Sequence, residues 1–128
     1  MHQDQESGAA GDTFGTETAP LIAKAIGATM VGAYSNEANY LGERVVIKCA
    51  GRRTTSVGVT YLMLKRLKKV IAAFQLDNGS FEVFALPAAT YQKEMRPTKS
   101  QGASAGRVGI VSKRLFVTRG QRIGSTKI

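Results

Sequence analysis

A short polar turn, Asp77-Asn78-Gly79, separates two apolar segments, residues 70–76 and 81–86. Both segments are rich in β-branched and aromatic residues, and the Asn-Gly pair tolerates the positive φ angles that tight hairpin turns require. This pattern predicts an antiparallel β-hairpin. The fold must therefore contain a β-sheet, and the rest of the chain has to supply its other strands and the helices that cover it.

A third apolar segment, residues 44–50, predicts a buried strand between the turn residue Gly42 and Gly51. It contains Lys48, and a lysine is rarely buried completely. Two interpretations are open: the ammonium group reaches water at the strand end, or it points into a site that needs a positive charge. Cys49 beside it is interpreted as a small core residue, with a catalytic thiol as the remote alternative.

Helices are predicted before and after these strands in the chain. Thr18 suits a helix N-cap, and Gly27 is a stop signal for the helix that follows. Residues 29–41 predict a strand with a turn near Ser35-Asn36. Residues 87–95 predict a short helix opened by Pro87, and residues 107–117 predict a strand followed by a helix capped by Ser112 or an extended arm.

Residues 56–70 predict a further, basic helix. Val59, Met63, Leu67 and Val70 recur at helical spacing, and either Thr60 or Ser56 is the expected cap. Four cations fall on its other face: Lys65, Arg66, Lys68 and Lys69. A solvated helix face is the ordinary interpretation of such a group, but four cations in five positions also suit binding to phosphates.

The predicted fold class is α/β (α+β), with a single mixed β-sheet flanked by helices. We expect a disordered arm over residues 1–15, one domain over residues 16–118, and a flexible tail over residues 119–128. No segment has the length of a membrane span, and the single cysteine suits a reducing compartment, so a cytoplasmic protein is expected.

Charge is distributed unevenly along the chain. Residues 1–43 contain one lysine and six acidic residues, whereas residues 44–128 contain seventeen cations and three acidic residues. The isoelectric point near 10.1 predicts a polyanionic partner, namely nucleic acid, with DNA ranked ahead of RNA. The alternative is an interaction module or homo-oligomer whose basic surface binds an acidic partner. The predicted nucleic-acid contacts are Arg52, Arg53, Lys65, Lys68, Lys69, Lys99, Arg107, Lys113 and Arg114.

Glu17 in the first helix, Asn36 before the central strand, and the triplet Val46-Ile47-Lys48 occur in an order that resembles a known pattern. With the elements that follow, residues 16–95 resemble the core of the restriction-endonuclease-like, or PD-(D/E)XK, nuclease superfamily. That resemblance implies a Mg²⁺-dependent endonuclease in which Lys48, Glu17, Asn36 and Glu37 form the catalytic site. Glu17 and Glu37 would then be the metal ligands.

The resemblance has two departures from the superfamily pattern, because Asn36 stands in place of an aspartate and Val46 in place of the triplet's acid. Mg²⁺ prefers hard oxygen ligands, and valine offers none. Three interpretations are open: a rearranged active nuclease, an inactive fold retained for binding nucleic acid, or an accidental likeness in which Lys48 is an ordinary cation at a strand end.

Overall fold

The computed structural model describes residues 2–32, 35–97 and 108–127, with side chains from residue 14 onward. The elements in chain order are α1 (His2–Ile26), β1 (Thr29–Met30), β2 (Glu37–Tyr40), β3 (Glu43–Ala50), β4 (Ser56–Thr60), α2 (Tyr61–Leu64), β5 (Lys69–Gln75), β6 (Phe81–Pro87), α3 (Ala88–Glu94), β7 (Arg96–Pro97), β8 (Val108–Ser112), α4 (Lys113–Arg119) and β9 (Gln121–Thr126).

Six strands form a mixed sheet in the order β1-β2-β3-β5-β6-β9. β3 and β5 run parallel, with Val45 opposite Lys69, and the remaining neighbours are antiparallel. The predicted class, a mixed sheet flanked by helices, is confirmed. The structure adds a three-stranded sheet in the order β4-β8-β7, which the sequence does not predict.

Two apolar cores lie on the two faces of the six-stranded sheet. The α1-side core contains Ile22 of α1 together with Val45 and Ile47 of β3. The small-sheet core lies on the other face and joins Val46 of β3 to Tyr91 and to residues of the three-stranded sheet. The side chains of successive strand residues point to opposite faces of a sheet. On β3, even-numbered residues therefore face the small-sheet core, and odd-numbered residues face the α1-side core.

The local predictions for β3, for the β5–β6 hairpin and for α3 are confirmed. α1 ends at Ile26, and Gly27 follows with φ of 81°. Ser112 caps α4, where its Oγ accepts a hydrogen bond from the N–H of Leu115 at 3.3 Å. Short sequence signals were sufficient to predict these elements, because caps and turns are determined by residues that are close together in the chain.

The basic helix predicted over residues 56–70 is wrong. Its first part is strand β4, α2 covers only Tyr61–Leu64, and residue 69 already opens β5. Thr60 is the actual cap, accepting a hydrogen bond from the N–H of Met63 at 3.2 Å. Val59, Leu67 and Val70 lie on three different segments, and all three pack in the small-sheet core. Their helical spacing therefore reflects burial in the same core and not membership of one helix.

Both chain ends differ from the sequence expectation. α1 continues back to His2, and Pro20 lies inside it, whereas the sequence starts the helix near Thr18. Residues 121–126, expected in a tail, form β9 and pair with β6, where Glu82 lies opposite Ser125. The division into arm, domain and tail at residues 15 and 118 stays a prediction. Residues 97–106 are polar and small, a composition that predicts a flexible loop, and all of them except Pro97 lie outside the described residues.

Candidate nucleic-acid interface

A nearly buried carboxylate, Glu37, anchors two arginines at the edge of the six-stranded sheet. Its Oε1 accepts hydrogen bonds from Arg66 Nε at 2.9 Å and from Arg44 Nη1 at 3.2 Å, and its Oε2 accepts one from Arg66 Nη2 at 2.6 Å. The Glu37 side chain is 8% exposed, whereas Arg44 and Arg66 are 40% and 53% exposed. The arginines thus shield Glu37 while their outer faces remain in water.

The two guanidinium groups keep Glu37 ionised. The hydrogen bond from Arg66 lowers the pKa of the Glu37 carboxyl below its ordinary value; burial opposes this shift, and Arg44 adds to it. The pKa of Arg66 is raised by the same hydrogen bond. Both carboxylate oxygens are engaged by arginine, so Glu37 acts in this structure as an anchor for cations rather than as an open ligand.

Lys48 lies on the small-sheet face of β3. Its neighbours of the same parity, Val46 and Ala50, belong to the small-sheet core, and it pairs with Ala72 of β5, which belongs to that core as well. Glu37 lies opposite Val46, so it shares this face and sits two register positions from Lys48. The structure therefore brings Lys48 and Glu37 to the same face of the sheet.

Glu17 lies on the opposite side of the sheet from Lys48. It is an exposed residue of α1, and that helix packs through Ala19 and Ile22 on the α1-side core. Asn36 precedes β2, and its backbone carbonyl accepts a hydrogen bond from the N–H of Ile47 at 2.8 Å. The four predicted catalytic residues are thus divided between two faces.

The described side chains do not fit a Mg²⁺ site built on Glu17 and Glu37. Mg²⁺ requires several oxygen ligands in near-octahedral geometry. Glu37 directs both oxygens at arginines, and Glu17 is on the other face. From residue 14 onward, within the described ranges, no three acidic, histidine or cysteine side chains are grouped to hold a metal ion. The assignment of these residues to catalysis stays a prediction.

Cys49 follows Lys48 and faces the α1-side core, against which it packs. Burial raises the pKa of its thiol to about 12, although the Lys48 charge works in the opposite direction. A thiol with such a pKa is protonated at neutral pH and is a poor nucleophile. This agrees with its interpretation as a core residue.

Seven of the nine predicted nucleic-acid contacts lie within the described residues; Lys99 and Arg107 fall outside them. These seven divide between the two ends of the parallel β3–β5 pair. Lys65, Lys68 and Lys69, which we name the amino-end cations, lie where the two strands begin: the N–H of Lys68 donates to the carbonyl of Arg44 at 2.8 Å. The seven residues of β5 separate this end from the other by about 20 Å.

The carboxyl-end cations are Arg52, Arg53, Lys113 and Arg114. The two arginines follow β3, and the other two residues begin α4. A backbone hydrogen bond of 2.7 Å from the N–H of Lys113 to the carbonyl of Thr55 joins the two segments. Lys113 Nζ lies 5.5 Å from the centre of the Phe74 ring, a cation–π distance.

A shallow pocket of about 400 Å³ lies beside the carboxyl-end cations. Thr55, Ser112, Lys113, Arg114 and Val117 line it. The lining therefore combines hydroxyl, cationic and apolar side chains.

The two groups of cations differ in that one of the amino-end cations is paired with a carboxylate. Glu43 Oε1 lies 3.1 Å from Lys69 Nζ at the amino end. No carboxylate among the described side chains comes within 4 Å of a carboxyl-end cation. This end of the sheet therefore presents four positive charges without a counter-charge from the described part of the chain.

The pairing of Arg44 and Arg66 with Glu37 is the feature of this site that sequence reasoning missed. Arg66 is 29 positions from Glu37, and nothing local links the two. The sequence could have indicated the pairing of Arg44 with Glu37. A two-residue turn at Leu41-Gly42 places Asn39 opposite Arg44, and Glu37 is then a diagonal neighbour of Arg44 on the adjacent strand.

Among the described helices, none combines the length and the apolar character that a bilayer crossing demands. No protein-family model matches the chain, and no curated protein sequence matches it.

The chain has a likeness to a solved structure, that of Hjc, a Holliday junction resolvase from the archaeal hyperthermophile Archaeoglobus fulgidus. The alignment covers 89% of this chain and 92% of that one, with 11% identity and a TM-score of 0.45. A likeness at this level carries no argument about activity or kinship. The resemblance to the restriction-endonuclease-like superfamily therefore stays a prediction.

Proposed function

We propose that this protein binds nucleic acid, with DNA as the first ligand to test, through contacts to the phosphate backbone rather than to base edges. The observation that carries the proposal is the group of four carboxyl-end cations with no carboxylate partner in the described structure. Arginine and lysine are the residues that neutralise phosphates, and such contacts are independent of sequence.

The fold itself holds these like charges together. The hydrogen bond between Thr55 and Lys113 brings the loop after β3 to the start of α4, although their mutual repulsion disfavours this arrangement. A polyanion removes that repulsion on binding, whereas water and salt only screen it. Phosphates spaced along a nucleic-acid backbone supply the several negative charges that one small anion lacks.

Binding is better supported than cleavage. The superfamily resemblance would require Glu37 as a metal ligand, yet two arginines engage it, and Glu17 lies across the sheet from Lys48. We therefore propose a binding protein, and retain a Mg²⁺-dependent endonuclease as the alternative that a cleavage assay tests.

The test compares two double variants that remove the same charge from different places. Arg53→Ala with Arg114→Ala removes two carboxyl-end cations. Arg119→Ala with Arg122→Ala is the matched control, because these arginines already pair with Glu94 and Glu82 at 3.9 and 3.3 Å. Affinity for duplex DNA is measured by fluorescence anisotropy between 50 and 200 mM salt, concentrations over which phosphate-mediated binding changes steeply.

We expect the carboxyl-end variant to lower the slope of log K against log salt by about 1.8, or about 0.9 for each lost phosphate contact. The control variant should keep the wild-type slope. Equal changes in both variants would mean that only net charge matters, and that the carboxyl-end cations are not the interface. Affinity that does not grow with DNA length would instead favour the acidic-protein or homo-oligomer alternative. A duplex RNA competitor decides between the two nucleic acids.

A further inference from the structure

The turn between β2 and β3 contains a residue that suits neither its backbone conformation nor its surroundings. Leu41 has φ of 52° and Gly42 has φ of 80°, so both central residues of this two-residue hairpin lie in the left-handed region. Such turns favour asparagine, aspartate and glycine. Leu41 is the sole residue other than glycine with positive φ in the described chain, and this conformation is strained for leucine.

The side chain of Leu41 contributes nothing to either core. It is 78% exposed, the largest value for a large apolar residue among the described side chains. An asparagine at this position would relieve the backbone strain and remove an apolar group from water. Turn chemistry and burial both disfavour leucine, so neither the turn nor the two cores explain this residue, and residues of this kind often mark contact sites.

The charges around the turn indicate what Leu41 contacts. The turn at Leu41-Gly42 lies at the amino end of β3, which is the end where the amino-end cations lie. Glu43, directly after the turn, pairs with Lys69, and Arg44 accepts the backbone hydrogen bond of Lys68. Lys68 is exposed, and an apolar tip beside an exposed lysine has the composition of side chains that insert between base steps while a cation holds a neighbouring phosphate.

We propose that Leu41 is a wedge that inserts between bases of bound DNA at positions where stacking is already weak, such as a mismatch or a branch. Lys68 holds a phosphate beside the inserted leucine, because its exposed side chain has no carboxylate partner in the described structure, whereas Lys69 is paired with Glu43. This inference rests on the proposed function, and it adds a specificity that phosphate contacts alone do not provide. Unstacking is least costly at a defective step, so the wedge favours such sites over uniform duplex.

The experiment uses Leu41→Asn in the full chain. Two duplexes of equal length are compared, one uniform and one with a central mismatch beside 2-aminopurine, whose fluorescence rises on unstacking. We expect the variant to have a higher melting temperature, because Asn suits the left-handed turn. It should bind the mismatched duplex about tenfold more weakly, since it loses a leucine contact, and the uniform duplex within twofold of wild type. The 2-aminopurine signal seen with wild type should be lost.

Leu21→Asn is the matched control, because Leu21 is also exposed but lies on α1, across the sheet from the small-sheet face. It should lower the melting temperature slightly, since Asn is a poorer helix former than Leu, and leave both affinities unchanged.

Three results would overturn the wedge. One is a Leu41→Asn variant that binds both duplexes and raises the fluorescence as wild type does; here binding itself stands and only the wedge fails. Another is a change in the sedimentation coefficient of Leu41→Asn without DNA, which would assign Leu41 to a contact between copies of the chain. If wild type binds neither duplex, the proposed function fails together with the wedge.

Discussion

Replacing Glu37 with glutamine tests whether its ion cluster stabilises the fold. Glutamine keeps the shape and one oxygen acceptor, but it removes the charge and turns an N–H₂ group toward two guanidinium groups. Hydrogen bonds to charged groups contribute roughly 1.5–3 kcal/mol, against about 0.5–1.5 kcal/mol for neutral ones. Three bonds are weakened, but both arginines are half exposed and regain water. We therefore expect a loss of about 2 kcal/mol at pH 7.

The pH dependence follows from the direction of the Glu37 pKa. Because the folded state lowers this pKa, the carboxylate contributes its full stabilisation above the unfolded-state value, about 4.3. That contribution is lost as the pH falls through the lower, folded-state value. Glutamine does not titrate, so the stability difference between wild type and Glu37→Gln should be largest at neutral pH and should shrink below about pH 4.

Urea unfolding followed by circular dichroism measures this difference. With an m-value of about 1.5 kcal/mol/M, a loss of 2 kcal/mol moves the midpoint down by about 1.3 M. Arg66→Ala should destabilise more than Glu37→Gln at pH 7, since it leaves a nearly buried carboxylate with Arg44 alone. An unchanged midpoint for Glu37→Gln at pH 7, or a gap of the same size at pH 3, would refute the stabilising role of the cluster.

Three further predictions concern other parts of the chain. Lys68→Glu should weaken DNA binding uniformly across sequences and flatten the salt slope by about one unit, because Lys68 lacks the carboxylate partner that Lys69 has in Glu43; an unchanged slope in the anisotropy titration would remove Lys68 from the binding surface. Any Mg²⁺-dependent cleavage of plasmid DNA should disappear in Lys48→Ala while binding persists, and surviving cleavage would remove Lys48 from the chemistry. Tyr91→Phe should cost about 1–2 kcal/mol in thermal unfolding, because the buried hydroxyl contacts two backbone carbonyls of the small sheet at 3.1 and 2.7 Å; a neutral effect would mean that those carbonyls find other donors.

Short-range signals allowed much of the fold to be predicted from sequence. The turn at residues 77–79 specified the β5–β6 hairpin, and Gly27 and Ser112 marked helix ends where the structure has them. Each of these signals acts through a bond or a backbone conformation within a few residues. The strand β9 had no such signal, because a short edge strand with glycine and exposed polar residues resembles a loop.

The errors arose where distant residues decide the outcome. Val59, Leu67 and Val70 recur at helical spacing in the sequence. In the structure they lie on separate segments whose side chains pack in one core. The separation of Glu17 from Lys48 depends on which face of the sheet α1 covers, and a linear order of elements leaves that face undetermined. The resemblance is based on element order and leaves this face open, so the catalytic assignment of Glu17 and Lys48 stays a prediction.

The described carboxylates decide which cations are available to a partner. Glu37 and Glu43 engage Arg44, Arg66 and Lys69 near the amino end, and Glu82 and Glu94 engage the arginines around β9. Folding thus converts an uneven charge along the chain into an uneven charge in space, with the carboxyl end of the β3–β5 pair left positive. A count of lysines and arginines overstates the interface, because a paired arginine such as Arg66 already stabilises the fold. If position rather than number governs binding, two variants with the same net charge must differ in their salt dependence, and equal slopes would show that the protein attracts DNA only through its overall charge.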